Sequence, residues 1–351
     1  MSEFSKEKTN YCKGIAIVLM VIHHLYWNVP NIGKSINGIA LSQRIGILGK
    51  VCVSIFLILS GYGVFKSSKN INNIKKYFSH RIIKIYSNYL LIVIISLFIG
   101  YIFFYNNITN MIGYGFKAII RIVITMSGFQ YIIGYPGFNA SWWFVTLILF
   151  CYLIYPYIEK IIRKYGFKIL ILIFFITFLN IFKLGNIQIF NLIFWTFPFI
   201  MGVYIAYSNF LEKTYKYIAY NNKRKILLIF ILIILCIIRQ ELKPQSNFSL
   251  RVDWFLALIF IIFINVFFEN FKFSKKIVCK LGKLSMTIYY IHMFITTYYI
   301  GTLTYSFKKP IISIIFAIVC SYICAYIIEK FKKIIKFSKF QYNLELYFDK
   351  L

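Results

Sequence analysis

The sequence predicts an all-α polytopic membrane protein, a bundle of about ten transmembrane helices with both termini in the cytoplasm. Of its 351 residues, 60% are hydrophobic and only 14% are charged, and the mean hydropathy is +0.73. An average soluble domain is about 45–50% apolar and about 25% charged. Long apolar runs recur along the whole chain without the strict alternation of barrel strands, so the spans are predicted to be helices.

Each predicted span is a stretch of about 20 mostly apolar residues, the length that a helix needs to cross the hydrocarbon core. The spans are placed near residues 11–29, 45–65, 82–105, 141–158, 167–183, 187–208, 225–239, 252–268, 284–303 and 310–329. The first span has no small-x-small cleavage site after it, so it is expected to remain as a signal anchor. The chain is interpreted as one integral-membrane domain, 1–351, with the bundle over about 11–332 and a cytoplasmic tail over 333–351.

The longest gap between predicted spans, residues 106–140, contains an amphipathic segment from Phe116 to Met126. Lys117 and Arg121 interrupt its apolar residues. The pattern favours an interfacial or re-entrant helix on the outer side of the membrane, and a full span is the alternative.

The net charge of +30 is distributed in the gaps between the apolar runs rather than on one continuous face. This distribution indicates loops beside anionic lipid, so the expected partner is the bilayer and not nucleic acid. With the N-terminus inside, the cytoplasmic segments hold most of the 40 Lys and Arg residues, as the positive-inside rule requires. The seven cysteines contain no Cys-x-x-Cys pair, so neither a metal site nor a disulfide framework is indicated.

Two histidines, His23 and His24, lie in the first predicted span. Titratable groups in hydrocarbon are costly and usually face a protein interior, and histidine titrates near neutral pH. Lys13 and His24 are eleven residues apart, which puts them on one helix face with an axial separation of roughly 16 Å. His24, deep in the membrane, is therefore the histidine expected to share a cavity with Lys13. A structural hydrogen bond to a neighbouring helix is the alternative.

A second basic pair, Arg81 and Lys84, stands at the cytoplasmic end of the third span. Residues at i and i+3 project together from a helix, and such a pair suits the phosphates of a nucleotide-like cofactor. Ordinary anchoring by positive charge at the interface is the alternative.

Three further features are compatible with either packing or a site. The small residues of the segment Ser60–Gly63 permit close helix approach in the second span. Trp143 opens the fourth span, where an interfacial tryptophan is common. A third membrane histidine, His292, falls in the ninth span.

Four segments of the sequence carry a resemblance to a known family. They are Lys13 through His24, Val53-Ser54-Ile55-Phe56 to Ser60-Gly61-Tyr62, Trp143-Phe144 through Tyr155-Pro156, and Gly282 to His292. In order, spacing and setting they resemble the integral-membrane acyltransferase-3 family, which O-acylates polysaccharides and other envelope acceptors. The resemblance covers most of the chain and is weakest over 100–140 and 210–275. The family usually has Arg where this chain has Lys13, and a lysine cannot make a bidentate contact.

The resemblance implies an O-acyltransferase, most often an O-acetyltransferase, with acetyl-CoA or another acyl-CoA as co-substrate and a hydroxyl of a cell-surface or lipid-linked polysaccharide as acceptor. It implies that His24 is catalytic, either as a general base or as a nucleophile that forms an acyl-histidine. Lys13, Arg81 and Lys84 would then bind the phosphates of coenzyme A. No metal and no permanently bound cofactor are expected. The residues expected to bind substrate are His23, Ser60, Tyr62, Trp143 and His292.

Two functions of other classes fit the same architecture. One is a non-catalytic exporter of polysaccharide or lipid-linked sugar. The other is a proton-coupled transporter with His24 and His292 as a relay, which the absence of convincing half-to-half similarity and the scarcity of acidic residues disfavour. Richness in Ile, Lys and Asn is typical of AT-rich bacterial genomes, so a multi-pass protein of the bacterial plasma membrane is expected.

Overall fold

The protein is described by a computed structural model over residues 4–27, 35–36, 39–68, 73–135, 137–178, 188–242, 246–307 and 309–350. Within these ranges the α-helices are α1 (Lys6–Tyr26), α2 (Leu41–Gly49), α3 (Val51–Ser68), α4 (Ile74–Phe103), α5 (Tyr105–Ile112), α6 (Gly115–Ser127), α7 (Trp143–Tyr165), α8 (Phe167–Phe178), α9 (Gln188–Tyr207), α10 (Phe210–Ile218), α11 (Asn222–Glu241), α12 (Asn247–Phe267), α13 (Lys272–Lys283), α14 (Ser285–Met293), α15 (Gly301–Ser306), α16 (Pro310–Ile334) and α17 (Phe337–Lys350). The extended backbone in these ranges is one short antiparallel pair, in which Ser35–Ile36 pairs with Ile39–Ala40. Single turns of 3₁₀ helix precede α7 and follow α12, and a π-helical turn, Phe294–Tyr298, follows α14.

The predicted class, an all-α polytopic membrane protein, is confirmed. Five helical stretches of the described chain are long and apolar enough to cross a bilayer, or seven if each of two bent helix pairs counts as one span. A helix lies at each of the ten predicted positions. The number of crossings and the cytoplasmic location of the termini remain predictions. The ends of three predicted spans, at 28–29, 179–183 and 187, lie outside the described residues.

The segment between the third and fourth predicted spans is broken rather than straight. Helices α5 and α6 meet at 81°, and Gly113 and Gly115 at the joint have φ values of 80° and 60°. Glycine adopts this left-handed region at little cost, which explains why the chain can turn here. Phe116 and Val123 of α6 are largely exposed. The bend excludes one straight span over this segment.

Helix α1 lies at the centre of the bundle, where it packs against α2, α3, α13 and α14. Its contact with α13 is unusually close: a side chain at Gly14 would collide with the carbonyl of Val278, and one at Gly282 would collide with the carbonyl of Asn10. Small residues allow two helix backbones to approach in this way. Gly14 and Gly282 belong to two of the motifs noted above, so part of those motifs serves packing.

A second close pair joins α3 to α9. A side chain at Gly61 would meet the carbonyl of Phe199, and one at Gly202 would meet the carbonyl of Ile58. Gly63, two residues further along α3, faces open space. Of the two glycines in the predicted small-residue segment, one therefore fixes helix packing and the other does not.

Of the C-terminal tail predicted over 333–351, Phe337–Lys350 form helix α17, which packs along the first half of α4; residues 333–334 complete α16, and residue 351 lies outside the described residues. Gln341 donates a hydrogen bond to Ser87 at 2.7 Å, and Ser79 donates to Asp349 at 2.5 Å. These contacts hold the part of α4 that carries Arg81 and Lys84.

Candidate active site

Two of the cavities among the described helices are lined by basic side chains. The first, here named the histidine cavity, has a volume of about 400 Å³. It is lined by Met20, His23, His24, Trp27, Lys50, Cys52, Val53, Phe56, Tyr131, Ser141, Trp143, Phe144, Trp195, Leu250 and Tyr289. The second, the basic cavity, has a volume of about 260 Å³. It is lined by Lys13, Phe56, Ser60, Arg81, Lys84, Ile85, Phe144, Val145, Ile148, Tyr152, Ser285, Met286, Tyr289 and Tyr290.

The two histidines of α1 stand at the end of the helix, not in its middle. Helix α1 ends at Tyr26, so His23 and His24 occupy its last turn. Both line the histidine cavity, whereas Lys13 lines the basic cavity. The sequence had indicated one cavity shared by Lys13 and His24. The axial separation of roughly 16 Å between them is instead filled by side chains of other helices.

Three aromatic side chains separate the cavities. Phe56, Phe144 and Tyr289 line both cavities and therefore lie between them; we name them the aromatic wall. The ring centroids of Phe56 and Phe144 are 6.4 Å apart, and those of Phe144 and Tyr289 are 5.5 Å apart. The hydroxyl of Tyr289 donates to the carbonyl of Ser141 at 2.6 Å, which fixes one side of the wall. This wall stands between the imidazoles of the histidine cavity and the cationic groups of the basic cavity.

The hydrogen bonds of His23 and His292 determine which ring nitrogen carries the proton in each neutral ring. Nδ1 of His23 lies 2.7 Å from the carbonyl of Gly46, and Nδ1 of His292 lies 2.7 Å from the carbonyl of Tyr289. A carbonyl only accepts, so Nδ1 is the donor in both rings and Nε2 bears the lone pair. His292 is completely buried, and within the described chain its Nε2 has no hydrogen-bond partner.

His24 is held differently from the other two membrane histidines. No hydrogen bond ties its ring to any group in the described ranges. Its ring centroid lies 5.2 Å from that of His23 and 4.8 Å from that of His292. A buried acceptor without a partner costs free energy. The ring of His24 packs against that of His292, so an N–H of His24 is a candidate donor to Nε2 of His292.

The basic cavity gathers three cations without a nearby acid. In the described part of the chain, no carboxylate lies within 4.0 Å of the side-chain nitrogens of Lys13, Arg81 or Lys84. The guanidinium of Arg81 donates to the hydroxyl of Ser67 and lies 6.0 Å from the ring centre of Tyr152. Its Nε is buried and makes no hydrogen bond there. Like charges repel, so this grouping favours an anionic ligand.

The other residues expected to bind substrate, four in number, lie in four different places. Ser60 lines the basic cavity, and Trp143 lines the histidine cavity with its ring 5.8 Å from that of Trp195. His292 lies behind His24. Tyr62 lies elsewhere: its ring packs edge-on against Phe4 at 5.4 Å and beneath the ammonium of Lys66 at 5.7 Å. The structure thus brings all of them except Tyr62 next to the two cavities.

Sequence reasoning missed two polar groups of the site, Lys50 and Tyr289. A signal for Lys50 existed, because it falls inside the predicted span 45–65 and charged residues within spans are functional candidates. Tyr289 lies in the motif that ends at His292, but nothing in that motif shows that it forms a wall. No group of three or more His, Cys, Asp or Glu within the described residues is arranged to hold a metal ion.

Comparison with known proteins adds a family to this geometry. A family model described as an acyltransferase domain, that of acyltransferase-3, matches residues 8–330, nearly the whole chain. This range contains every residue that lines the two cavities, and also His292. No significant match was found among curated proteins or among solved structures. The chain therefore belongs to the acyltransferase-3 family of membrane acyltransferases, as its four motifs predicted.

Proposed function

We propose that the protein is an O-acyltransferase, and specifically an O-acetyltransferase, that moves an acetyl group from acetyl-CoA to a hydroxyl of a cell-surface or lipid-linked polysaccharide. The observation that carries this proposal is the pair of cavities. One gathers three cations without a nearby acid, the other holds two imidazoles, and one layer of aromatic side chains separates them. We place the protein in the bacterial plasma membrane, with the basic cavity toward the cytoplasm.

The donor end of the reaction follows from the basic cavity. Lys13, Arg81 and Lys84 would bind the phosphates of coenzyme A, Arg81 through its fork of N–H donors and the lysines as point charges. A volume of about 260 Å³ lies just below the usual range for small-molecule sites, which is about 300–1,000 Å³. The pyrophosphate would bind at the cations of the basic cavity and the pantetheine arm would extend toward the aromatic wall, while the adenosine stays outside. The thioester would then have to pass the aromatic wall to reach His24.

In the chemical step His24 acts as general base. It takes the proton of the acceptor hydroxyl as the oxygen attacks the thioester carbonyl. The tetrahedral intermediate collapses, the C–S bond breaks, and the thiolate of coenzyme A takes the proton from the imidazolium. In this step Nε2 of His292 would accept a hydrogen bond from the other nitrogen of His24 and so fix the orientation of the ring, a role that in other enzymes belongs to a carboxylate. An acyl-histidine formed on His24 is the alternative course.

The test asks on which side of the membrane acetyl-CoA must be supplied for transfer to occur. Inside-out and right-side-out membrane vesicles that retain the endogenous acceptor are incubated with acetyl-CoA labelled in the acetyl group. The label should enter polysaccharide in inside-out vesicles and not in right-side-out vesicles, because only the former expose the basic cavity. Vesicles that contain His24→Ala should incorporate none, and vesicles that contain His80→Ala, a control at an exposed histidine, should match wild type. Equal labelling by wild type and His24→Ala would overturn the proposal.

A further inference from the structure

The histidine cavity contains one cation among its lining residues, Lys50. It stands at the break between α2 and α3, where its backbone N–H donates to the carbonyl of Ile47 at 3.2 Å. Gly49 beside it lies so close to α1 that a side chain there would collide with the carbonyl of Leu19. The backbone of Lys50 is thereby held against the helix that carries His23 and His24.

The acids around this end of the bundle are already bound by arginines. Asp253 and Arg239, both fully buried, form an ion pair of 2.6 Å. Glu241 pairs with Arg44 at 3.0 Å. Lys50 itself has no carboxylate within 4.0 Å in the described chain, and no hydrogen bond is described for its ammonium. Asp253 acts on Lys50 only through space, because its contact ion pair is with Arg239, so the ammonium of Lys50 has no contact partner in the described chain and is available to a ligand in the cavity.

The walls of the same cavity are aromatic. Trp27, Trp143 and Trp195 line it, and they are three of the five tryptophans in the chain. Indole rings combine a large flat apolar face with one N–H donor, which suits the C–H face of a sugar ring and its hydroxyls. A cavity with flat aromatic walls and one cation that makes no contact ion pair in the described chain fits a sugar that also carries a negative charge.

We propose that the acceptor taken by the histidine cavity is an acidic saccharide, whose carboxylate or phosphate group binds Lys50 while the hydroxyl to be acylated faces His24. This proposal rests on the proposed function and narrows its substrate class. The hydroxyls of a neutral sugar can accept hydrogen bonds from the ammonium but bring no opposite charge to it. An anionic group forms a charge-assisted hydrogen bond instead.

Binding without chemistry tests the proposal. The purified full-length protein in lipid nanodiscs is titrated, without acetyl-CoA, with methyl glucuronide, glucose 1-phosphate and methyl glucoside, and its tryptophan fluorescence is recorded. At least one acidic probe should saturate at a concentration roughly tenfold or more below that of the neutral glucoside. The stronger of the two acidic probes identifies the anion as carboxylate or phosphate. Equal saturation by all three probes would overturn the proposal.

Variants attribute the preference to Lys50. Lys50→Met should abolish the preference for the acidic probes, Lys50→Arg should keep it, and Lys66→Met, a lysine further along α3, should leave it unchanged. If Lys50→Met does not fold, Lys50→Gln provides the second variant, because it keeps a polar side chain without the charge and should likewise lose the preference. A preference that survives loss of the charge at Lys50 in either variant would overturn the proposal.

Failure of the acidic-saccharide inference can be distinguished from failure of the proposed function. His24→Ala, which cannot act as a base, should keep the preference for the acidic probes over the neutral glucoside, because the loss of His24 affects all three probes alike. Transfer of acetyl to acidic and neutral acceptors at equal rates would overturn the acidic-saccharide inference and leave the transferase intact. A strong preference for the acidic probes in binding, together with no transfer in any membrane assay, would support the acidic-saccharide inference and overturn the transferase.

Discussion

The imidazole rings of His24 and His292, from opposite ends of the chain, lie with their centroids 4.8 Å apart beside the histidine cavity. His292 is completely buried, and its Nδ1 is bound to the carbonyl of Tyr289. Its Nε2 is therefore a lone pair that only a donor such as His24 can satisfy. The contact joins α1 to α14, the helices that carry the first and last of the four motifs.

His292 should act by positioning His24. His292→Leu removes the acceptor at Nε2 and should lower kcat by roughly 10²-fold, the lower end of what general-base catalysis contributes, with KM for acetyl-CoA unchanged. His292→Gln, which keeps an acceptor near that position, should recover part of kcat. His80→Leu is the matched control. A change in KM alone, or full activity in His292→Leu, would contradict this role.

The basic cavity should determine the affinity for the donor. Arg81→Met and Lys84→Met should each raise KM for acetyl-CoA by roughly tenfold or more, since each removes a charged partner of a phosphate. Lys75→Met, at an exposed lysine of the same helix, should leave KM unchanged. Lys13→Arg restores the residue usual in the family and should lower KM, because Arg binds phosphate through two N–H groups. An unchanged KM in Arg81→Met and Lys84→Met would show that the phosphates bind elsewhere.

The two glycines of the small-residue segment provide a matched pair for helix packing. In Gly61→Ala the new methyl group would collide with the backbone carbonyl of Phe199, so α3 and α9 must separate. In Gly63→Ala it would face open space. We expect a clear fall in the melting temperature of the detergent-solubilised protein for Gly61→Ala and none for Gly63→Ala. Equal melting temperatures for the two variants would show that the close contact contributes little to stability.

The buried ion pair between Arg239 and Asp253 should be sensitive to loss of one partner. Asp253→Asn leaves the guanidinium of Arg239 buried without its carboxylate, which typically costs about 3–5 kcal/mol. Glu159→Gln breaks the i,i+4 pair of Glu159 with the half-exposed Arg163 and should cost no more than about 0.5 kcal/mol. Thermal unfolding of both variants measures the difference. Similar stability in both would indicate that Arg239 finds another anionic partner.

The sequence predicted the helices well because a span can be recognised from the length and hydropathy of a single stretch of residues. A helix lies at each of the ten predicted positions. The basic pair Arg81 and Lys84 was also predictable, because their i, i+3 spacing fixes one helix face. Lys13 and His24 likewise lie on the predicted helix.

The division of the site into two cavities could not be read from the sequence. It depends on Phe56, Phe144 and Tyr289, which come from three different helices and look like ordinary core residues. Helical spacing related Lys13 to His24 but contained no information about the side chains that other helices place between them. Tyr62, in contrast, was expected in the site because it belongs to a motif, but in the structure its ring packs against Phe4 and lines neither cavity.

The most direct measurement of the central claim is NMR spectroscopy of surface polysaccharide from four strains: wild type, a deletion, His24→Ala and His80→Ala. We expect O-acetyl signals in wild type and His80→Ala, and none in the deletion or His24→Ala, with the polysaccharide still exported in all four. O-acetyl signals in His24→Ala equal to those of wild type would contradict the catalytic role of His24. Polysaccharide missing from the surface of the deletion strain, with acetylation of the remaining intracellular polymer unchanged, would show an exporter instead of a transferase.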